Sequence, residues 1–100
     1  MVSNRLIKIT FRHKNNEAAT GAAHLFADSI KKSFDKYMVG PAPPVVNRVR
    51  NQYLMELLFK LPKDSALVSS CKQSILATIA EMHQDKRYRM VSVIPDVDAV

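Results

Sequence analysis

Arg48-Val49-Arg50-Asn51-Gln52-Tyr53-Leu54-Met55-Glu56-Leu57-Leu58-Phe59-Lys60-Leu61 alternates for most of its length. Tyr53, Met55, Leu57, Phe59 and Leu61 fall on one side; Arg50, Gln52, Leu54, Glu56, Leu58 and Lys60 fall on the other. A period of two is the repeat of a strand, whose successive side chains point to opposite faces. The stretch predicts one strand over 48–61. Pro62 closes it, because proline has no N–H to donate to a ladder.

Working outward, Ile7, Ile9 and Phe11 alternate with Lys8, Thr10 and Arg12 and predict a strand over 5–13. Asn15 and Asn16 offer N-cap oxygens ahead of Ala19, Ala22, Ala23, Phe26, Ile30 and Phe34, whose spacing is that of an amphipathic helix over 16–35. Lys31, Lys32 and Lys36 follow where the helix dipole favours cations, and a solvated helix end accounts for them. Tyr37-Met38-Val39 reads as a short strand over 37–39. Gly40-Pro41-Ala42-Pro43-Pro44 then interrupts the sheet.

Beyond Pro62, Asp64 or Ser65 can cap a second helix over 65–84, with Val68, Cys71, Ile75, Ile79 and Met82 on its buried stripe. The Val-, Ile-, Tyr- and Met-rich tail predicts a last strand over 87–97, and Pro95 suits it to a sheet edge. The fold expected is α+β: a ferredoxin-like βαββαβ two-layer sandwich, with a four-stranded antiparallel sheet and both helices on one face. A chain of 100 residues supports one such core, so residues 1–100 are expected to form a single domain.

The composition excludes several classes of function. Cys71 is the only cysteine, which rules out a disulfide framework and fits a reducing cytoplasm. No apolar run approaches the ~20 residues of a membrane span, and Met1-Val2-Ser3-Asn4-Arg5 leads straight into a strand without a leader. His13, His24 and His83 lack metal-ligand spacing, and Cys71 sits on an apolar stripe as a core thiol. Asp96 and Asp98 share one side of an extended segment but have no further acid–base partner. Gly21 and Gly40 belong to no phosphate-cradling loop. No catalytic residue, metal site or cofactor is expected in the chain itself.

Fifteen Lys and Arg against nine Asp and Glu leave a net charge of +6, which favours polyanionic partners. Strict alternation would place Lys8, Thr10, Arg12, Arg50, Gln52 and Lys60 on the uncovered side of the sheet, with Glu56 as the one acid among them. Lys8, Arg12, Arg48, Arg50 and Lys60 are the expected phosphate contacts, and Gln52 hydrogen-bonds locally. Tyr53 and Phe59 are in phase with the buried positions, so base stacking of the kind used by RNA-recognition sheets is not expected. A face that packs on a neighbouring domain is the competing reading of the same charges.

Four short segments resemble one family. Val39-Gly40-Pro41-Ala42-Pro43 is similar to the Val/Leu-Gly-Pro-x-Pro segment in the C-terminal domain of bacterial primosomal replication-restart helicases (primosomal protein N′, PriA). Arg48 to Lys60 resembles the Arg-x-x-Gly/Asn-x-aromatic strand that follows it there. Asp96-Val97-Asp98 resembles the terminal Asp-Val-Asp-Pro, and Asn4-Arg5-Leu6-Ile7 the opening after the second helicase lobe. The likeness covers nearly the whole chain.

The resemblance implies a parent that unwinds DNA 3′ to 5′ with ATP and magnesium, carries a zinc-binding insertion, recognises abandoned forks and restarts replication. In that family this domain holds branched or single-stranded DNA and packs on the helicase lobes of its own chain. The family also binds the acidic tail of the single-stranded DNA-binding protein. The sequence departs from the family at Leu54 and Met55, where many members carry a basic residue and an aromatic, at Glu56 in place of Gln, and at Ala99 in place of Pro. Asp64 and Val68 stand where some relatives build the acidic-tail pocket, so that pocket is not carried over. The alternative is a protein-interaction or small-molecule regulatory module on the same fold.

Overall fold

The structure is a computed structural model that describes residues 4–46 and 48–97. Its elements run β1 (Asn4–His13), α1 (Asn16–Phe34), a 3-10 turn (Asp35–Tyr37), β2 (Met38–Ala42), β3 (Arg48–Val49), β4 (Gln52–Pro62), α2 (Ser65–Met82) and β5 (Ser92–Val97). The chain is α+β, with two helices and one antiparallel sheet of order β2-β4-β1-β5, to which the short β3 adds beside β4.

Alternation in β1 and β4 builds the core. Ile7 pairs with Phe59, Ile9 with Leu57 and Phe11 with Met55, and all six are buried beneath the helices. From α1 come Ala19, Ala22, Ala23, Phe26, Ala27, Ile30 and Phe34; from α2 come Val68, Cys71, Ile75 and Met82. Phe11 meets Phe26 edge-on at 5.3 Å between ring centroids, and Phe34 meets Phe59 at 6.4 Å. Full burial of such side chains stabilises the fold by about 1.5–3 kcal/mol each. Both helix starts are capped as expected. Asn15 Oδ1 accepts from the backbone N–H of Glu17 at 2.8 Å and Ala18 at 3.2 Å, and Asp64 Oδ1 accepts from Ala66 at 3.0 Å and Leu67 at 3.2 Å.

Three boundaries differ from expectation, each for a local reason. Residues 48–61 are not one strand but a tight hairpin: Val49 pairs with Gln52 and Arg48 with Tyr53 across a two-residue turn. Arg50 (φ 52°) and Asn51 (φ 65°) both adopt left-handed backbone, the signature of the mirror-image turn whose twist matches that of the flanking strands. Residues 37–39 are the wrong bounds for the second strand, since Tyr37 belongs to the 3-10 turn and pairing continues to Ala42. Between Val39↔Leu58 and Ala42↔Glu56, β2 carries one more residue than β4, a bulge that takes up Gly40 and the cis peptide to Pro41 without ending the strand. Gly40 has φ +100°, and a Cβ there would lie 3.1 Å from the Glu56 carbonyl oxygen, so the bulge requires glycine.

The last strand starts at Ser92, not at residue 87. Asp85 accepts from the backbone N–H of Arg87 through its side chain at 2.9 Å and from Tyr88 through its carbonyl at 3.0 Å, and Val91 N–H donates to the Tyr88 carbonyl at 3.1 Å. These successive turns compete with a ladder. Pro95 does lie on an edge strand, since β5 closes one end of the strand order.

Candidate nucleic-acid interface

Residues opposite each other in a ladder share a face, so the pairs Lys8↔Leu58, Thr10↔Glu56, Arg12↔Leu54 and Leu6↔Lys60 put all these side chains on the side away from the core. Arg12 and Lys60 therefore lie on the same side, as alternation requires. They are nevertheless far apart: Lys60 is six residues beyond Leu54, about 20 Å of strand.

The expected uniformly basic face is not what forms. Lys8 Nζ lies 3.6 Å from Glu56 Oε2, and β5 brings Asp96 directly opposite Lys8, so Glu56 is not the only acid there. Leu54 and Leu58 interleave with these charges, and Ile94 and Val39 extend the apolar area as exposed residues. The centre of the open sheet is thus apolar, with one cation between two acids. Asp98 and Ala99 lie outside the described residues.

The cations gather instead at one end of the sheet. There β1 ends, the β3–β4 turn protrudes, α1 begins and β5 starts. Arg12 pairs with Ser92 at the start of β5, and His13 pairs with Tyr53, which pairs in turn with Arg48. A groove of about 270 Å³ is lined by His13, Lys14, Gln52 and Met90, and its neighbour by Asn15, Glu17, Ala18, Arg87 and Tyr88. Arg89, between Tyr88 and Met90, belongs to the same pole. Arg12, Lys14, Arg48, Arg50, Arg87 and Arg89 therefore stand at this end against Glu17 and Asp85. Asp85 already holds Arg87 in a two-pronged bond at 2.8 and 3.1 Å, which lowers its carboxyl to about 2.

Of the six residues expected at the site, the structure brings Arg12, Arg48, Arg50 and Gln52 together at the pole. Lys8 sits mid-sheet between acids and Lys60 near the opposite end. Arg48 departs from expectation in a second way. Across a two-residue turn the faces exchange parity, so it shares the side of Tyr53, not that of Lys8. Its guanidinium lies 5.3 Å from the Tyr53 ring centroid, and its Nη2 donates to Asn51 Oδ1 at 3.3 Å. Arg12 Nε is screened from solvent and has no hydrogen-bond partner among the described residues.

Lys14 escaped the sequence reading because it lies just past the end of β1, and Arg87 and Arg89 because they were read as part of a strand from residue 87, whereas they sit in the turns that precede Ser92. No family model matches this chain, and a comparison with curated proteins finds no significant match.

Proposed function

We propose that this chain is a DNA-contacting and docking domain that grips the phosphate backbone with its cationic pole, as the C-terminal domain of a primosomal helicase would. The observation that carries the reading is the segregation of charge: Arg12, Lys14, Arg48, Arg50 and Arg89 cluster at one end, while mid-sheet Lys8 is outnumbered by Glu56 and Asp96. Unpaired exposed cations attract a polyanion by releasing its condensed counterions, and a phosphate needs no particular pocket beyond donors within reach. The order β2-β4-β1-β5, with β3 taken as a continuation of the second strand after the proline loop, supports the ferredoxin-like arrangement. The Gly40-Pro41-Ala42 bulge supports the resemblance to the Gly-Pro-x-Pro segment as a structural requirement of that strand.

The docking half of the reading rests on the open sheet face. Leu54, Leu58, Ile94 and Val39 offer an apolar centre with no excess of cations, which suits the helicase lobes of a parent chain better than DNA. ATP, magnesium and zinc would belong to that parent. Among the described residues no helix is long and apolar enough to cross a membrane.

Fluorescence anisotropy with a labelled forked oligonucleotide at about 50 and about 200 mM salt tests the reading. Modest binding that weakens steeply with salt is expected. Absence of binding at the lower salt, or binding indifferent to salt, overturns it.

A further inference from the structure

We infer that the β3–β4 hairpin enters the major groove of duplex DNA, with Arg50 reaching base edges from its tip; this rests on the DNA reading above and goes beyond backbone contact. A two-stranded ribbon is one of the few protein elements that fits that groove, and Arg, Asn and Gln are the side chains whose donors and acceptors match purine edges there. Arg50, Asn51 and Gln52 follow one another at the turn and its exit, and Arg50 and Asn51 are exposed.

The backbone supplies the second argument. Arg50 stands at φ 52°, a left-handed position that glycine or asparagine occupies with less strain. Nothing within the fold repays that strain through the Arg50 side chain, which makes no hydrogen bond or ion pair with any described residue. A costly residue with an idle side chain at a protruding tip points to a partner outside the chain. Arg48, by contrast, is held on Tyr53 and on Asn51 Oδ1, so it braces the turn from behind. With one face of the Tyr53 ring covered by the Arg48 guanidinium and the residue packed against the core, this hairpin is poorly suited to stacking single-strand bases.

The test compares wild type and Arg50→Gly on a mixed-sequence duplex and on one of its single strands, with thermal unfolding run alongside. Arg50→Gly relieves the left-handed strain, so its Tm is expected to hold or rise. Its duplex affinity is expected to fall roughly tenfold, the effect of losing one base-edge contact, and its single-strand affinity by clearly less, the share that follows from losing one cation at the pole. A major-groove ligand should displace wild type from the duplex, and a minor-groove ligand should not. Equal loss on both substrates, or no loss on either, overturns groove entry while leaving the DNA reading intact. Failure of wild type to bind either substrate at low salt removes the DNA reading itself. Arg50→Lys provides the control for charge: it keeps the cation and loses the planar fork, and wild-type duplex binding by this variant also overturns the inference.

Discussion

Tyr88 packs its ring end over Gly21, so closely that a Cβ on residue 21 would lie 2.5 Å from Tyr88 Oη and 3.0 Å from Cε1. Glycine inside a helix ordinarily costs about 1 kcal/mol relative to alanine. Here it admits the segment between α2 and β5, which carries Arg87 and Arg89 to the pole, onto the second turn of α1.

Gly21→Ala is therefore expected to destabilise the wild-type protein, since the tyrosine must leave its seat, and to stabilise a Tyr88→Ala variant by up to about 1 kcal/mol through helix propensity alone. Urea unfolding of the four members of the cycle measures the difference, and a coupling of about 0.5–3 kcal/mol is expected for residues in contact. Equal effects in the two backgrounds would show that the glycine has no bearing on Tyr88.

The pole and the open face make different predictions for DNA. Lys14→Ala and Arg89→Ala should each lower the slope of log affinity against log salt by about 1, the signature of one lost phosphate contact. Lys60→Ala, near the far end of β4, should leave the slope where it is. A slope that drops for Lys60 and not for Lys14 would return the interface to the sheet face.

Burial pushes the Cys71 thiol up to about 11 from an ordinary value of 9.0. The folded state thus favours the neutral thiol, and the sign follows: its contribution to stability is complete below about pH 9 and is lost as pH rises from there through 11. Denaturant midpoints measured from pH 8 to 11 should fall in wild type and fall less in Cys71→Ala. The same burial predicts that Cys71 resists thiol reagents at pH 8 until the protein unfolds.

Asp64 accepts two backbone N–H groups at the start of α2. Asp64→Ala should cost about 1 kcal/mol, measured by thermal or urea unfolding, and Asp64→Asn clearly less, because asparagine caps almost as well. A variant as stable as wild type would mean that water satisfies those donors equally.

Much of the fold was legible along the chain, and the reasons are local. Ile7, Ile9, Phe11, Met55, Leu57, Phe59 and Leu61 keep the strand period over whole elements, and Ala19, Ala22, Ala23, Phe26, Ile30 and Phe34 keep the helix period; all are buried. The caps were legible to within one residue, Asn15 or Asn16 and Asp64 or Ser65, because such side chains compete for the first free N–H groups of a helix whatever surrounds it. The hairpin at Arg50-Asn51 was hard to read, since no glycine marks it; the one signal was Asn51, a polar residue in the apolar phase between Val49 and Tyr53. The last strand began late because Tyr88, a good strand residue by propensity, is held by Asp85-based turns and by Gly21, sixty-seven positions earlier in the chain.

The sequence by itself determined which side chains of β1 and β4 face the helices, because a period of two leaves only one way to bury the apolar set. It also determined the excess of cations. Where those cations act was decided by tertiary structure alone. The β1–β5 register set Asp96 against Lys8, and the two-residue turn moved Arg48 to the other side. Segments distant in the chain met at one end of the sheet. Charge is a property of composition, but a field depends on distances between charges, and those distances exist only once the strands are paired.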